Sequence, residues 1–282
     1  MTDALEIFRA LTAVPTAPYY EQAVTRRALA WIGANLKSAR VARRRGGLIV
    51  RYEGTHGQPA LALAAHLDHP AFHLSKVTAR GASAELLGGL PPHLLDGTAV
   101  EAFAPLPTSN EPLARGVVNK RGERYEVRWT QPPRAKPAFA TLALPPCAIQ
   151  DGWLVSRSID DLLGCAVSLA TLRRAAELKL KTNLTVLLHR AEEVGFMGAL
   201  DLIAEGTVSK DDTVLAIESS RELPGALPGK GPVIRLGDKA CLFDPNATAL
   251  LDDAAAALKR PIQRLRLTGG TCEATAYLAF GY

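Results

Sequence analysis

The stretch that decides the reading is LTVLLHRAEEVGFMGA, residues 184–199. Leu184 to Leu188 is an apolar run broken only by Thr185, the pattern of a strand covered on both faces. Two adjacent carboxylates, Glu192 and Glu193, follow at its carboxyl end. Gly195 and Gly198 then let a helix begin close against the sheet. Charged side chains are costly to bury there without a partner. In an open α/β sheet, the carboxyl ends of the strands are also where ligands bind.

Working outward, other segments end in the same way. PALALAAHLDHP (59–70) carries the apolar run Leu61 to Ala65 and ends in His66 and Asp68. TVLAIE (213–218) ends in Glu218. DGWLVS (151–156) is followed by SIDDLLG, with Asp160 and Asp161 opening a helix over 158–178. Further helices are expected over 3–12, 21–36, 197–205 and 246–260, and further strands over 46–54, 231–238 and 261–270. Strands alternating with helices predict an α/β fold with a mostly parallel sheet covered by helices on both faces. Residues 71 to about 150 read differently. FHLSKVTA, ASAELLGG, GTAVEAFAP, RGVVNK, RYEVRWT and FATLAL are short strand patterns split by Gly and Pro, as in a small β-barrel or sandwich. The expected organisation is one discontinuous α/β domain, 1–70 and 153–282, with an inserted β domain over 71–152.

Composition narrows the function. The chain has 282 residues, 48% of them hydrophobic, enough for a sizeable core. The net charge of +5 is small and dispersed, and RVARRR (40–45) reads as a solvated face. Aromatics are 6% of residues and none interleave with that run, so nucleic acid is not an expected partner. No window is long and apolar enough for a membrane span, and the N-terminus lacks a signal-peptide pattern. The four cysteines, Cys147, Cys165, Cys241 and Cys272, form no CxxC pair and read as reduced thiols of a cytoplasmic protein. Serine-hydrolase and nucleotide-binding motifs are absent.

The strand ends thus bring one His and several carboxylates to one edge of a sheet. Such acids repel one another unless cations sit among them. Imidazole with carboxylate suits zinc, manganese or cobalt. In His66-x-Asp68 both side chains fall on one face of an extended chain, so one can bind metal while the other holds its ring. In the tandem pair Glu192-Glu193, one can ligate while the other acts as general base. His69 and His73 are expected to line the cleft or face solvent, His56 and His93 to be exposed, His189 to pack or hydrogen-bond, and Cys165 to lie in the core.

AHLDHP, SIDDLLG, HRAEEVGFMGA, AIESS, GKGPVI and TGGTCEATA occur in an order that resembles the cocatalytic dizinc aminopeptidases, in particular the glutamyl and tetrahedral aminopeptidases, whose members have also been described as endoglucanases. The resemblance spans nearly the whole chain. It implies a zinc-exopeptidase-like fold and hydrolysis of N-terminal peptide bonds. It implies two divalent ions, zinc first, with cobalt or manganese as alternatives. His66, Asp160 and Glu218 would hold one ion, and Asp160 would bridge to a second held by Glu193. Glu192 would be the general base toward a metal-bridging water, Asp68 would orient His66, and Asp161 would support the bridge. Gly270, Thr271 and Cys272 would line or support the substrate pocket. It also implies peptide substrates and a homo-oligomer, built from dimers through the inserted domain and reaching a dodecamer. Three departures stand out. The family's last ligand is a His beyond the GGT segment, whereas no His follows His189 here, and a chain continuing past Tyr282 is expected. Glu218 stands where the family commonly has Asp. Cys272-Glu273 stands where relatives often have Asp-Ala. A related di-metal amidohydrolase or deacylase, and a non-catalytic relative without the last ligand, are the competing readings.

Overall fold

The computed structural model describes residues 2–282. Two helices open the chain, α1 (Thr2–Leu11) and α2 (Gln22–Asn35). Strands β1 (Arg40–Arg44), β2 (Gly47–Glu53) and β3 (Ala60–His66) come next. Then come β4 (Ala71–Ser75), β5 (Gly81–Leu87), β6 (Thr98–Phe103), β7 (Ala114–Arg121), β8 (Arg124–Gln131) and β9 (Phe139–Leu142). A short hairpin, β10 (Ala148–Gln150) and β11 (Trp153–Val155), leads into α3 (Ile159–Glu177). The chain continues through β12 (Asn183–His189), α4 (Met197–Ala204), β13 (Thr213–Ala216), β14 (Val233–Gly237), α5 (Pro245–Ala257), β15 (Gln263–Arg266) and α6 (Glu273–Ala279).

The central sheet has the order β1-β2-β12-β3-β13. β12 pairs parallel with β3, and β3 parallel with β13. β1–β2 and β2–β12 are antiparallel. The sheet is therefore mixed, not mostly parallel as the alternation of strands and helices suggested. The cause is local: β1 and β2 are joined by a tight turn, which can only connect antiparallel neighbours, whereas β12 and β13 are reached through helical crossovers. RVARRR is solvated as expected, and most of it forms the edge strand β1, with Arg40, Arg43 and Arg44 exposed. Charge on an edge strand deters further pairing.

Alternation along the strands divides the core. Leu48, Val50, Leu63, Ala65, Val186 and Leu188 pack with Phe8, Ile32 and Leu169 of α1, α2 and α3. Ile49, Ala62, Ala64 and Leu187 pack instead with Ala199 and Leu202 of α4 and Ala276 and Tyr277 of α6. The register places His66 opposite His189 and Ala64 opposite Ala216. The three parallel strands therefore finish almost level, and the turns that leave them meet at one edge of the sheet.

Strands β4 to β9 close into a barrel in the order β4-β5-β8-β7-β6-β9. Its interior is apolar, filled by Phe72, Val100, Ala102, Val118, Val127 and Ala140. Because β4 also pairs with β9, Phe72 against Ala140, the barrel begins and ends on adjacent strands. The segments at 231–238 and 261–270, expected as strands of the α/β layer, form a parallel pair of their own, β14 with β15, joined across α5. No helix among the described residues is long and apolar enough to cross a membrane.

Candidate active site

The edge where β3, β12 and β13 finish carries the expected acids. His66 closes β3 and is fully buried. Its Nδ1 lies 3.0 Å from the carbonyl oxygen of Asp68, so that nitrogen carries the proton and donates it. Nε2 then faces the cluster, 3.2 Å from Asp160 Oδ1 and 3.8 Å from both Glu192 Oε2 and Glu218 Oε1. The ring is thus oriented by the Asp68 backbone rather than by its carboxylate, which stands 3.6 Å away. The chain turns immediately after β3, and that turn swings the carbonyl under the ring.

The Asp68 carboxylate does something the sequence did not suggest. Its two oxygens accept from the backbone amides of Glu192 (3.1 Å) and Glu193 (3.2 Å). Glu21, fully buried, accepts from the amide of Ala191 (2.9 Å) and from Arg190 Nε (3.0 Å). Three consecutive amides after β12 are therefore pegged by two carboxylates. Ala191 is held at φ 52° in this turn, a strained conformation for a residue with a Cβ. The pegged turn sends Glu192 toward His66 and Glu193 toward the barrel. Gly195 (φ +109°) lets the chain reverse, and Gly198 packs against Arg190 with its amide 2.8 Å from the Arg190 carbonyl. The barrel reaches this turn directly: a Cβ on Gly88 (φ +90°), just past β5, would stand 3.0 Å from the Glu193 side chain.

Asp160 and Asp161 precede the regular part of α3, and the peptide bond between them is cis. Their carboxylates meet different partners. Asp160 is half-exposed and faces His66. Asp161 is fully buried, with Oδ2 accepting from the His66 amide (3.3 Å) and Oδ1 left without a partner.

Electrostatics are set by the crowding. Burial opposes charge on His66, but the carboxylates of Asp160, Asp68 and Glu218 outweigh it and hold the imidazole well above its usual range. Burial, reinforced by Glu273 and Glu218, pushes Glu192 up to about 10. Burial with Asp160 and Asp68 pushes Glu193 up to about 8, and burial with Glu273 pushes Glu218 up to about 7. Burial raises Asp161 well above the carboxylate range. Ligand atoms of His66, Asp160 and Glu193, and of His66, Asp161 and Glu218, lie within 4.8 Å of one another. An unpartnered buried oxygen on Asp161, and carboxyls crowded by burial around one imidazole, fit a donor set for divalent cations.

The remaining candidates separate cleanly. His69 is buried at the start of the barrel insertion, with Nδ1 3.0 Å from the Pro70 carbonyl, and burial lowers it to about 4. His73 meets the Tyr20 hydroxyl at 2.7 Å. His56 and His93 are exposed. Cys165 is a core thiol donating to the His66 carbonyl. Gly270 is exposed, Thr271 half-buried and Cys272 buried at the start of α6, its thiol pushed up to about 12 by burial. The member of that segment that reaches the cluster is Glu273, fully buried, with an oxygen within 4.8 Å of oxygens from Glu192 and Glu218. In the sequence Glu273 stands out only as a departure from a pattern, and Glu21 only as an acid at a helix start.

Comparisons with known proteins identify the family. The signature of M42 glutamyl aminopeptidases matches residues 138–282, more than half of the chain. The glutamyl aminopeptidase of Lactococcus lactis subsp. cremoris is 25% identical over 271 residues, covering 84% of this chain and 74% of that protein. Among solved structures, the TET1 peptidase of Pyrococcus horikoshii, which assembles into a tetrahedron or a large octahedral shell, superposes with a TM-score of 0.76 at 21% identity, covering 98% of this chain and 88% of that one. A TET aminopeptidase from a marine sediment Thaumarchaeota archaeon gives a TM-score of 0.80 at 17% identity, covering 97% and 84%. This chain belongs to the M42 glutamyl aminopeptidase family, and it is a metal-dependent aminopeptidase.

Proposed function

We propose that the enzyme removes N-terminal residues from peptides using two divalent ions, zinc first, with Glu192 as the general base. The observation that carries this reading is the meeting of His66, Asp160, Glu193 and Glu218 around a buried Glu192 at the level end of three parallel strands. His66, Asp160 and Glu218 would hold one ion; Asp160 and Glu193 would hold the other. Bound there, the ions would polarise the scissile carbonyl and make water a nucleophile at neutral pH. Glu192 takes the proton from the attacking water and returns it to the leaving amine. Asp68 and Glu21 fix the turn that separates the base from the neighbouring ligand. Asp161 braces the His66 backbone.

The barrel, with its closed ring and separate core, offers the surface for self-association into a homo-oligomer, as in the assemblies formed by the structurally similar peptidase of P. horikoshii. Four free cysteines suit a reducing, cytoplasmic setting.

Aminoacyl chromogenic amides, with glutamyl among the panel, test the role of Glu192 in zinc-, cobalt- or manganese-loaded enzyme. Glu192→Gln is expected to lower kcat by roughly 10²–10⁴-fold while atomic emission finds the same metal content. Near-full activity of that variant would remove Glu192 from the mechanism.

A further inference from the structure

One buried carboxylate near the centre has no part in the mechanism above. Glu273 opens α6 and is fully buried. Its Oε1 meets His189 Nδ1 at 3.2 Å, and the other nitrogen of that ring meets the Tyr277 hydroxyl at 2.9 Å. Tyr277 lies one helical turn after Glu273, so α6 supplies both the acid and the far end of the clamp that orients it. All three side chains are buried. The second oxygen, Oε2, has no hydrogen-bond partner. A carboxylate clamped by an imidazole, with an unpartnered buried oxygen beside two further carboxylates, is expensive unless a cation joins it.

We propose that Glu273 is a cation ligand, and that Glu192, Glu218 and Glu273 form a third, all-carboxylate position for a hard divalent ion, beside the position of His66 and Asp160 and sharing Glu218 with it. The three side chains come from three segments: the turn after β12, the end of β13 and the start of α6. One oxygen from each lies within 4.8 Å of the others. Oxygens this close converge on one ion, whose bonds to oxygen run about 2.1–2.5 Å, once the side chains close slightly around it. The set contains no imidazole and no thiolate, so its donors suit manganese, magnesium or calcium. Glu192 belongs to this set and is also the base. An oxygen that holds a cation does not take a proton from water, so filling the third position slows turnover. That last consequence rests on the aminopeptidase reading; the binding itself does not.

The test uses metal-stripped full-length protein, loaded first with zinc and then titrated with MnCl₂, with MgCl₂ and CaCl₂ as parallel arms. Calorimetry and the electron paramagnetic resonance of free Mn²⁺ count the ions bound. The wild type is expected to take one manganese beyond its zinc. Glu273→Gln is expected to keep its zinc and lose at least tenfold in manganese affinity, and Glu273→Asp, which keeps the charge on a shorter arm, to fall between. Excess manganese should inhibit hydrolysis by the zinc-loaded wild type and spare Glu273→Gln. Equal manganese stoichiometry and affinity in wild type and Glu273→Gln, or no manganese uptake after zinc, would overturn the proposal with the aminopeptidase reading intact. Failure of zinc to bind at all would instead sink that reading, and the manganese titration would still decide the third position. Thermal melts of both variants separate loss of the ion from loss of the fold.

Discussion

In the barrel, Phe72, Val100, Ala102, Val118 and Val127 are buried against one another, and the backbone pairs around a closed ring. At the edge of the central sheet, His66, Asp161 and Glu273 are as deeply buried, and Glu192 and Glu218 nearly so. Burial has opposite consequences in the two places. In the barrel it removes apolar surface from water and stabilises the fold. At the sheet edge it strips hydration from acids that stand next to one another, and drives their pKa values upward. One region accumulates stability, and the other gives some of it up in exchange for affinity toward cations.

The sharpest way to break this contrast is to vary pH without metal. A carboxyl whose folded pKa is raised keeps a proton that the unfolded chain releases near 4.5. Its contribution is full below that pH and lost as pH climbs through the folded value. With Glu218 at about 7, Glu193 at about 8 and Glu192 at about 10, the metal-free protein should become steadily less stable from pH 5 to pH 8. Zinc should abolish that slope. Urea melts across this range, with chelator and with zinc, give the answer; a flat metal-free profile would mean the acids are not strained.

Phe72→Ala attacks the other side of the contrast. It should cost roughly 3–5 kcal/mol in urea unfolding and leave zinc content unchanged in the molecules that remain folded. If zinc were lost instead, the barrel would belong to the site and not only beside it. A smaller effect is expected from Asp68→Ala, which strips two backbone amides of their acceptor: about 1–3 kcal/mol of stability and roughly 10–100-fold in zinc affinity, read by calorimetry. Smallest of all, Arg40→Ala removes an exposed pair between Arg40 of β1 and Glu53 of β2 and should leave the melting temperature unchanged within error.

Much of the site could be read in the sequence because its residues lie where strand patterns stop. His66, Glu192 and Glu218 each come after an apolar run, and Asp160 opens a helix. Strand direction was less accessible. The pattern of β2 is that of any buried strand, and only its turn to β1 and its pairing with β12 make it antiparallel. Asp68 was legible as a second carboxylate near His66, but whether its backbone or its side chain meets the ring depends on a turn that spacing does not encode. Glu21 and Glu273 were out of reach for the same reason. Each is buried by a partner distant in sequence, Ala191 and His189 respectively, and nothing local to either residue announces it.

The pairing of β4 with β9 has a consequence for how the chain closes on itself. His66 and Asp160 are separated by the whole barrel, and as a flexible coil such a segment would resist bringing its ends together. Phe72 and Ala140 are already side by side once the barrel forms. The path from His66 to Asp160 then shortens from about ninety residues to about twenty-six, and the entropic cost of joining β3 to α3 falls by roughly 1 kcal/mol. A barrel whose ends meet is an insertion the sheet scarcely notices, which is how so large a body can sit between two residues of one site.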